Sequence, residues 1–344
     1  MKAGKLFEYN KPVRVVDVPE PKIEGPFDVI VRVGGAGVCG TDLNIQRGLA
    51  KDSPPLPHTL GHENAGWIEE TGSVAAVSGL RKGNPVILHP FMSCGLCRAC
   101  RGGNDMHCPN GHFPGLDIDG GYAQFMKTSV RSVVKLADGT DPIPLAPYAD
   151  AGITSYHAVK KVAPQLYPGS TAVVIGIGGL GHFAIQLLKV LTSASVIGIA
   201  RSNAKIDFAK KLGADAAFPA GEDGGLKAVR DFTNGAGVDV VLDFVADKAT
   251  PETGVKMLKK GGTYCIIGEG GTVSDTTIDM IVRELNLIGS LVGTYNELNE
   301  LMELNRMGRI KITSKVYPMS EVVQVMQDLK ESKVLGRSVL DPWK

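Results

Sequence analysis

Hydrophobic and polar positions follow two different patterns along this chain, and the change falls near residue 150. Upstream, apolar residues come in short runs broken by proline and glycine. DVIVRV over 28–33 and PVIL over 85–88 read as strands, and the first 150 residues resemble an irregular β-barrel more than a helical domain. A proline-rich stretch over 141–147 closes this part. Downstream, TAVVIGI over 171–177 is a continuous branched apolar run, as expected of a strand buried on both faces. A glycine turn follows, then helical spacing over 179–191. The alternation continues with a strand over 195–200, a helix over 203–212 closed by Gly213, and strands over 238–244 and 262–267 with helical stretches between them. Strands alternating with helices imply right-handed crossovers and a parallel sheet. Helical patterns near 295–307 and 320–332 form a tail expected to return to the first domain. The prediction is an α/β protein of two domains, one from 1–150 and 292–344 and a doubly wound one over 151–291.

Composition narrows the function classes. The 344 residues exceed what one compact core accommodates. A formal net charge of +1 argues against a nucleic-acid or membrane surface as the main partner. The N-terminal MKAGKLFEYNKPVRVVDV has no apolar run of the export type, and no stretch of about 18 apolar residues follows. The expectation is a cytoplasmic protein. In a reducing compartment, clustered thiols more often bind metal than pair as disulfides.

Four of the six cysteines, Cys94, Cys97, Cys100 and Cys108, fall within fifteen residues as C-x2-C-x2-C-x7-C. Four thiolates close a tetrahedral shell around one zinc ion and leave no position for a substrate. The segment from about 92 to 110 is therefore expected to be a structural zinc lobe that does no chemistry. Cys265, in the apolar run TYCIIG, reads as an inert buried thiol.

Gly176-Ile177-Gly178-Gly179-Leu180-Gly181 is G-x-G-x-x-G between an expected strand and an expected helix, the setting in which such a loop binds a dinucleotide pyrophosphate. An acid that would hold a ribose hydroxyl is expected about 20 residues on. That position reads Ala200-Arg201-Ser202-Asn203 instead. Without a carboxylate there is no repulsion against a 2′-phosphate, and Arg201 and Ser202 are suited to pair with one. The expectation is NADP over NAD.

A second set of donors is dispersed: Cys39 in GVCGTD, His62 and Glu63 in GHENAG, and Asp150 in YADAGIT. One sulfur, one nitrogen and one oxygen suit a catalytic zinc with an open fourth position. Taken together, Cys39-Gly-Thr-Asp, Gly61-His62-Glu63-x2-Gly66-x5-Gly72, the four-cysteine lobe and the glycine loop resemble, in that order and spacing, a zinc-dependent alcohol dehydrogenase of the medium-chain dehydrogenase/reductase superfamily. The resemblance covers essentially the whole chain. It implies a GroES-like irregular β-barrel catalytic domain plus a doubly wound Rossmann domain, two zinc ions per chain, and hydride transfer between an alcohol and NAD(P).

The resemblance also implies roles. Cys39 and His62 match catalytic-zinc ligands, and Asp150 stands where many members have a third-ligand cysteine and others an acid. Glu63 matches a neighbouring alternative ligand. Thr41 matches the hydroxyl that contacts the substrate alcohol and takes its proton, and Asp42 the carboxylate that orients the zinc-bound histidine. Thr154 and Arg337 are similar to cofactor-contacting positions, and Val292 lies near the backbone that holds the nicotinamide carboxamide. Asn44 replaces a histidine that in some members relays the proton to water, and asparagine does not titrate near neutrality. A cofactor ribose hydroxyl and water are expected to take over that path. Trp67, Phe91 and Tyr295 are candidates for the substrate pocket. The substrate expected is a small-molecule alcohol, aldehyde, ketone or sugar, with a smaller or more apolar alcohol slightly favoured, and the assembly expected by analogy is a homotetramer. Two rivals make different demands. A zinc-ribbon module that binds nucleic acid requires a basic, aromatic-rich surface, and a zinc-free quinone reductase of the same superfamily needs neither Cys39, His62 nor the cysteine lobe.

Overall fold

The computed structural model describes residues 1–49, 54–247 and 249–344, which form two compact units. The first comprises Met1–Ile153, Gly293–Arg306 and Ile312–Lys344, and the second Thr154–Val292 with Met307–Lys311.

The first unit is built on the strand Asp28–Val38, which changes neighbours along its length. Phe125–Ser129 pairs with its first half, from Asp28 to Arg32, and Arg337–Asp341 with its second, from Ala36 to Val38. Glu63–Thr71 runs antiparallel along the other edge and places Gly37 opposite Glu63. The register shifts twice there, between Ile30 and Val31 and between Val33 and Gly35, and such irregularities bend a sheet. The sheet continues through Pro85–Leu88 to Val133–Lys135 on one side and through Arg337–Asp341 to Ser314–Pro318 on the other. Leu6, Val29, Val31, Val33, Ile68, Val86 and Tyr122 fill its core.

The expected strand over 28–33 is therefore a longer one, because the small residues Gly34–Gly37 continue it where no apolar alternation marks it. Strands such as Lys2–Leu6, Glu63–Thr71 and Arg337–Asp341 had no clear sequence signal. Glu63, Asn64, Arg337 and Asp341 are all buried, so polarity and burial diverge in them.

The second unit is a six-stranded parallel sheet. In the order of the chain its strands are Thr171–Ile175, Ser195–Ala200, Ala216–Pro219, Val238–Asp243, Leu258–Ile266 and Asn286–Gly289. In space they run third, second, first, fourth, fifth, sixth, the order of the doubly wound dinucleotide fold. The strand order reverses between Thr171–Ile175 and Val238–Asp243, so the loop after Ile175 emerges where such sheets bind ligands. The strands over 216–219 and 286–289 are too short to show a period. Among the described residues, no helix is long and apolar enough to cross a membrane.

Candidate functional site

The dispersed donors meet inside the first unit. Cys39 directly follows Asp28–Val38 and caps the helix Gly40–Gln46. His62 immediately precedes the strand Glu63–Thr71, and Asp150 follows the 3-10 segment Ile143–Ala149. Cys39 Sγ lies 3.6 Å from Asp150 Oδ2, and His62 Nε2 lies 3.4 Å from the same oxygen. Donors placed tetrahedrally about 2.0–2.3 Å from one zinc ion stand about 3.3–3.8 Å apart. All three side chains are buried, so the donor types, their spacing and their seclusion fit such an ion.

The electrostatics favour a cation as well. Burial alone would make His62 harder to protonate, but the Asp42 charge and the Asp150 hydrogen bond overcome it, and its pKa rises well above the usual histidine range. For Cys39 burial opposes ionisation, but the Arg337 charge and His62 lower the thiol pKa overall.

Behind His62, Asp42 Oδ1 stands 3.4 Å from Nδ1, which leaves Nε2 to face the other donors. The second carboxylate oxygen of Asp42 accepts the Cys39 N–H at 2.8 Å and the Tyr122 hydroxyl at 2.9 Å. Asp42 thus ties the helix start to the imidazole it faces, and Tyr122, which the sequence did not single out, fixes Asp42. Thr41 Oγ1 lies 3.8 Å from Cys39 Sγ. Asn44 is on the same short helix and is half-buried.

Glu63 belongs to this cluster but is also engaged elsewhere. Its carboxylate forms a buried ion pair with Arg337 and accepts the Ala151 N–H at 3.2 Å. Gly37 makes room for it, since a Cβ there would stand 1.8 Å from Glu63 Oε2. Arg337, expected at a cofactor-contacting position, is therefore the counter-ion of Glu63 here.

The pocket candidates separate. Phe91 packs on Phe113 with ring centroids 4.5 Å apart, and Phe113 in turn stacks on His62 at 5.9 Å. Phe113 is a second residue the sequence did not single out. Trp67 lies elsewhere, with Arg32 4.3 Å above its ring and the backbone of Gly34 at its edge. Tyr295 lines a pocket of about 430 Å3 with Ser93, Cys100, Asp105 and Arg131, beside the cysteine lobe.

In that lobe the four thiols converge, half-exposed. Cys97 and Cys100 Sγ are 3.4 Å apart, and Cys94 and Cys100 Sγ 4.0 Å, far beyond a disulfide bond. About 3.8 Å separates sulfurs bound tetrahedrally to one zinc ion. N–H groups of Leu96 and Cys97 point at Cys94 Sγ and hold its thiol down at about 6, so a thiolate forms readily.

In the second unit, Gly176 follows the strand Thr171–Ile175 with φ of +91°, a conformation suited to glycine. A Cβ on Gly178 would meet nothing within 4 Å, which leaves that face of the loop open. At Gly181 a Cβ would lie 2.0 Å from the Gly176 carbonyl oxygen, so loop and helix start are in close contact. The helix runs over Gly181–Leu191 with Leu180 as its cap, two residues later than expected, because the glycines are spent on the turn. Gly179 lies within that turn. Arg201 and Ser202 are exposed after Ser195–Ala200, and Ser202 caps the helix Asn203–Lys211. Lys205, on the first turn of that helix, has its pKa lowered by partial burial and by the charge of Arg201. Two cations thus share the position where an acid would hold a ribose. Thr154 is buried in this unit, and Val292 adopts φ of +42°, an outlier for a β-branched residue.

Residues 25–138 match the family described as alcohol dehydrogenase GroES-like domain, and residues 179–306 match zinc-binding dehydrogenase. Over 99% of its length the chain is 36% identical to a protein of Saccharolobus solfataricus named D-arabinose 1-dehydrogenase (NADP(+)), covering 97% of that protein. It is 33% identical to an NAD-dependent alcohol dehydrogenase of Sulfolobus acidocaldarius, with 99% of each covered. Its fold matches the crystal structure of an alcohol dehydrogenase from Aeropyrum pernix with a TM-score of 0.96 and 48% identity, over 99% of this chain and all of that one.

Proposed function

This chain belongs to the zinc-type medium-chain alcohol dehydrogenases, NAD(P)-dependent oxidoreductases, and on that premise we propose that it oxidises a small, largely apolar alcohol to an aldehyde or ketone with NADP as hydride acceptor. The observation that carries this reading is the buried meeting of Cys39, His62 and Asp150 with the Thr41 hydroxyl alongside. These three residues would hold a zinc ion, with one thiolate and one carboxylate balancing its charge. Bound there, zinc supplies Lewis acidity to the alcohol oxygen, as it does to water, whose pKa it lowers from 15.7 to about 7. Asp42 and Tyr122 fix the imidazole so that Nε2 stays directed at the site. The Thr41 hydroxyl accepts the hydrogen bond of the substrate hydroxyl and relays its proton, by way of a cofactor ribose hydroxyl, to solvent water. Net, the alcohol loses a hydride from carbon and a proton from oxygen, and NADP+ becomes NADPH.

Phe113 and Phe91 beside His62 favour an apolar substrate, because a sugar would bury several hydroxyls against them without partners. The relative named for D-arabinose motivates a second reading, a sugar or polyol substrate. Initial rates with alcohols, polyols and aldoses distinguish the two. Preference for apolar alcohols is expected, and a preference for an aldose would replace the first reading with the second.

The NADP preference is supported by Arg201 and Lys205 together with the missing acid. Arg201→Ala is expected to raise KM for NADP about tenfold and leave KM for NAD unchanged. A lower KM for NAD than for NADP in the parent enzyme would contradict the preference.

A second zinc in the cysteine lobe completes the proposed metal content. The six unpaired cysteines suit a reducing cytoplasm. A homotetramer is supported by apolar surface at one end of the second unit. The strand Asn286–Gly289 is the sheet's edge, and Ile278, Ile281 and Val282 of the helix Thr277–Arg283 are 58–69% exposed. Sedimentation at about four times 36.4 kDa is the expected result, and a monomer would contradict it.

A further inference from the structure

His182 is fully buried at the start of the helix Gly181–Leu191, and no step of the reaction above uses it. Its Nδ1 lies 3.2 Å from the carbonyl oxygen of Gly178, the second glycine of the loop. Its main-chain N–H donates to the same oxygen at 3.2 Å. A carbonyl only accepts, so Nδ1 carries the hydrogen. Nε2 is then a bare acceptor, and it is buried with no hydrogen-bond partner among the described residues. Burial holds the ring neutral by depressing its pKa to about 4. The ring is wedged between Phe183, 4.3 Å away, and Phe208 of the helix Asn203–Lys211, stacked at 6.0 Å.

An orphaned buried acceptor destabilises a fold, and an apolar side chain of similar volume would avoid that cost. What the histidine contributes is control of one peptide. In a planar trans peptide the C=O and the next N–H point in opposite directions. With the Gly178 carbonyl drawn toward residue 182, the Gly179 N–H is aimed out of the helix start, where a phosphate binds. The face of Gly178 is open there.

We propose that His182 is a positioning residue of the dinucleotide loop, which holds the Gly178 carbonyl so that the Gly179 amide meets the cofactor pyrophosphate. This rests on the NADP reading above. The test is calorimetric titration of NADP into the parent enzyme and into His182→Leu and His182→Asn, with thermal melts in the absence of cofactor. Loss of one neutral hydrogen bond predicts about five- to tenfold weaker NADP binding by His182→Leu. The melting temperature of that variant is expected to stay level or rise, since the unpaired acceptor is gone. Asparagine places an N–H near the position of Nδ1, so His182→Asn is expected to bind within about twofold of the parent. A purely structural histidine would not produce this split between affinity and stability. His182→Leu binding NADP as tightly as the parent overturns the role of His182 alone. The same follows if its affinity falls only together with its melting temperature and asparagine restores nothing. A parent enzyme that binds neither NADP nor NAD overturns the dinucleotide reading itself.

Discussion

The two donor clusters of this chain are assembled in opposite ways. Cys94, Cys97, Cys100 and Cys108 come from one short segment, lie half-exposed, and have backbone N–H groups as their close partners. Cys39, His62, Glu63 and Asp150 come from separate elements spread over residues 39 to 150 and are buried among charges. A local ligand set closes on itself and staples its own loop. A dispersed one depends on the whole sheet to bring it together, and its surroundings can be tuned. Asp42, Tyr122, Arg337 and Thr41 surround the dispersed set with charges and hydroxyls, whereas backbone N–H groups and the Ser93 hydroxyl meet the sulfurs of the cysteine lobe. On the proposed function, the difference separates a site that holds structure from one that does chemistry.

The comparison can be broken first at Cys39. Cys39→Ser is expected to lower kcat/KM about a thousandfold or more while circular dichroism stays that of the parent. The mirror experiment is Cys97→Ser, for which we expect a melting temperature lower by about 5–10 °C and weaker assembly, with residual folded enzyme still turning over. If Cys97→Ser kept its stability and lost turnover, the two roles would be reversed. A smaller effect sharpens the idea of a tuned site. Tyr122→Phe removes one of the hydrogen bonds on Asp42, and chelator competition should strip its active-site zinc about tenfold more readily than that of the parent. Unchanged zinc retention would make Tyr122 a packing residue only. Least of all, Asn44→Ala should keep turnover within about threefold of the parent. A large loss that Asn44→His restores would show that residue 44 carries the proton.

Local patterns were the legible ones. The cysteine spacing, the glycine loop and the long buried strands are written within fifteen residues or fewer, and the doubly wound fold follows from them. Phe113 stacks on His62 from about fifty residues away, and Tyr122 reaches Asp42 from eighty. Nothing near either residue marks such a partner. Lys205 was closer to view, four residues after Arg201 on a helix's first turn, and charge counting at the end of the second strand of that sheet would have found it. Trp67 and Tyr295, candidates for the substrate pocket, have neighbours that the sequence did not indicate. Aromatic residues near a site in sequence went instead to a guanidinium and to the cysteine lobe. Arg337, expected at a cofactor-contacting position, is buried as the counter-ion of Glu63. Such pairs become visible only when distant strands are placed side by side.

The division between the two clusters is tested most directly by counting zinc per chain, by elemental analysis, in the active parent enzyme and in folded Cys39→Ser. Two zinc ions in the parent and one in an inactive Cys39→Ser are the results predicted. Full activity with less than one zinc per chain would contradict the account.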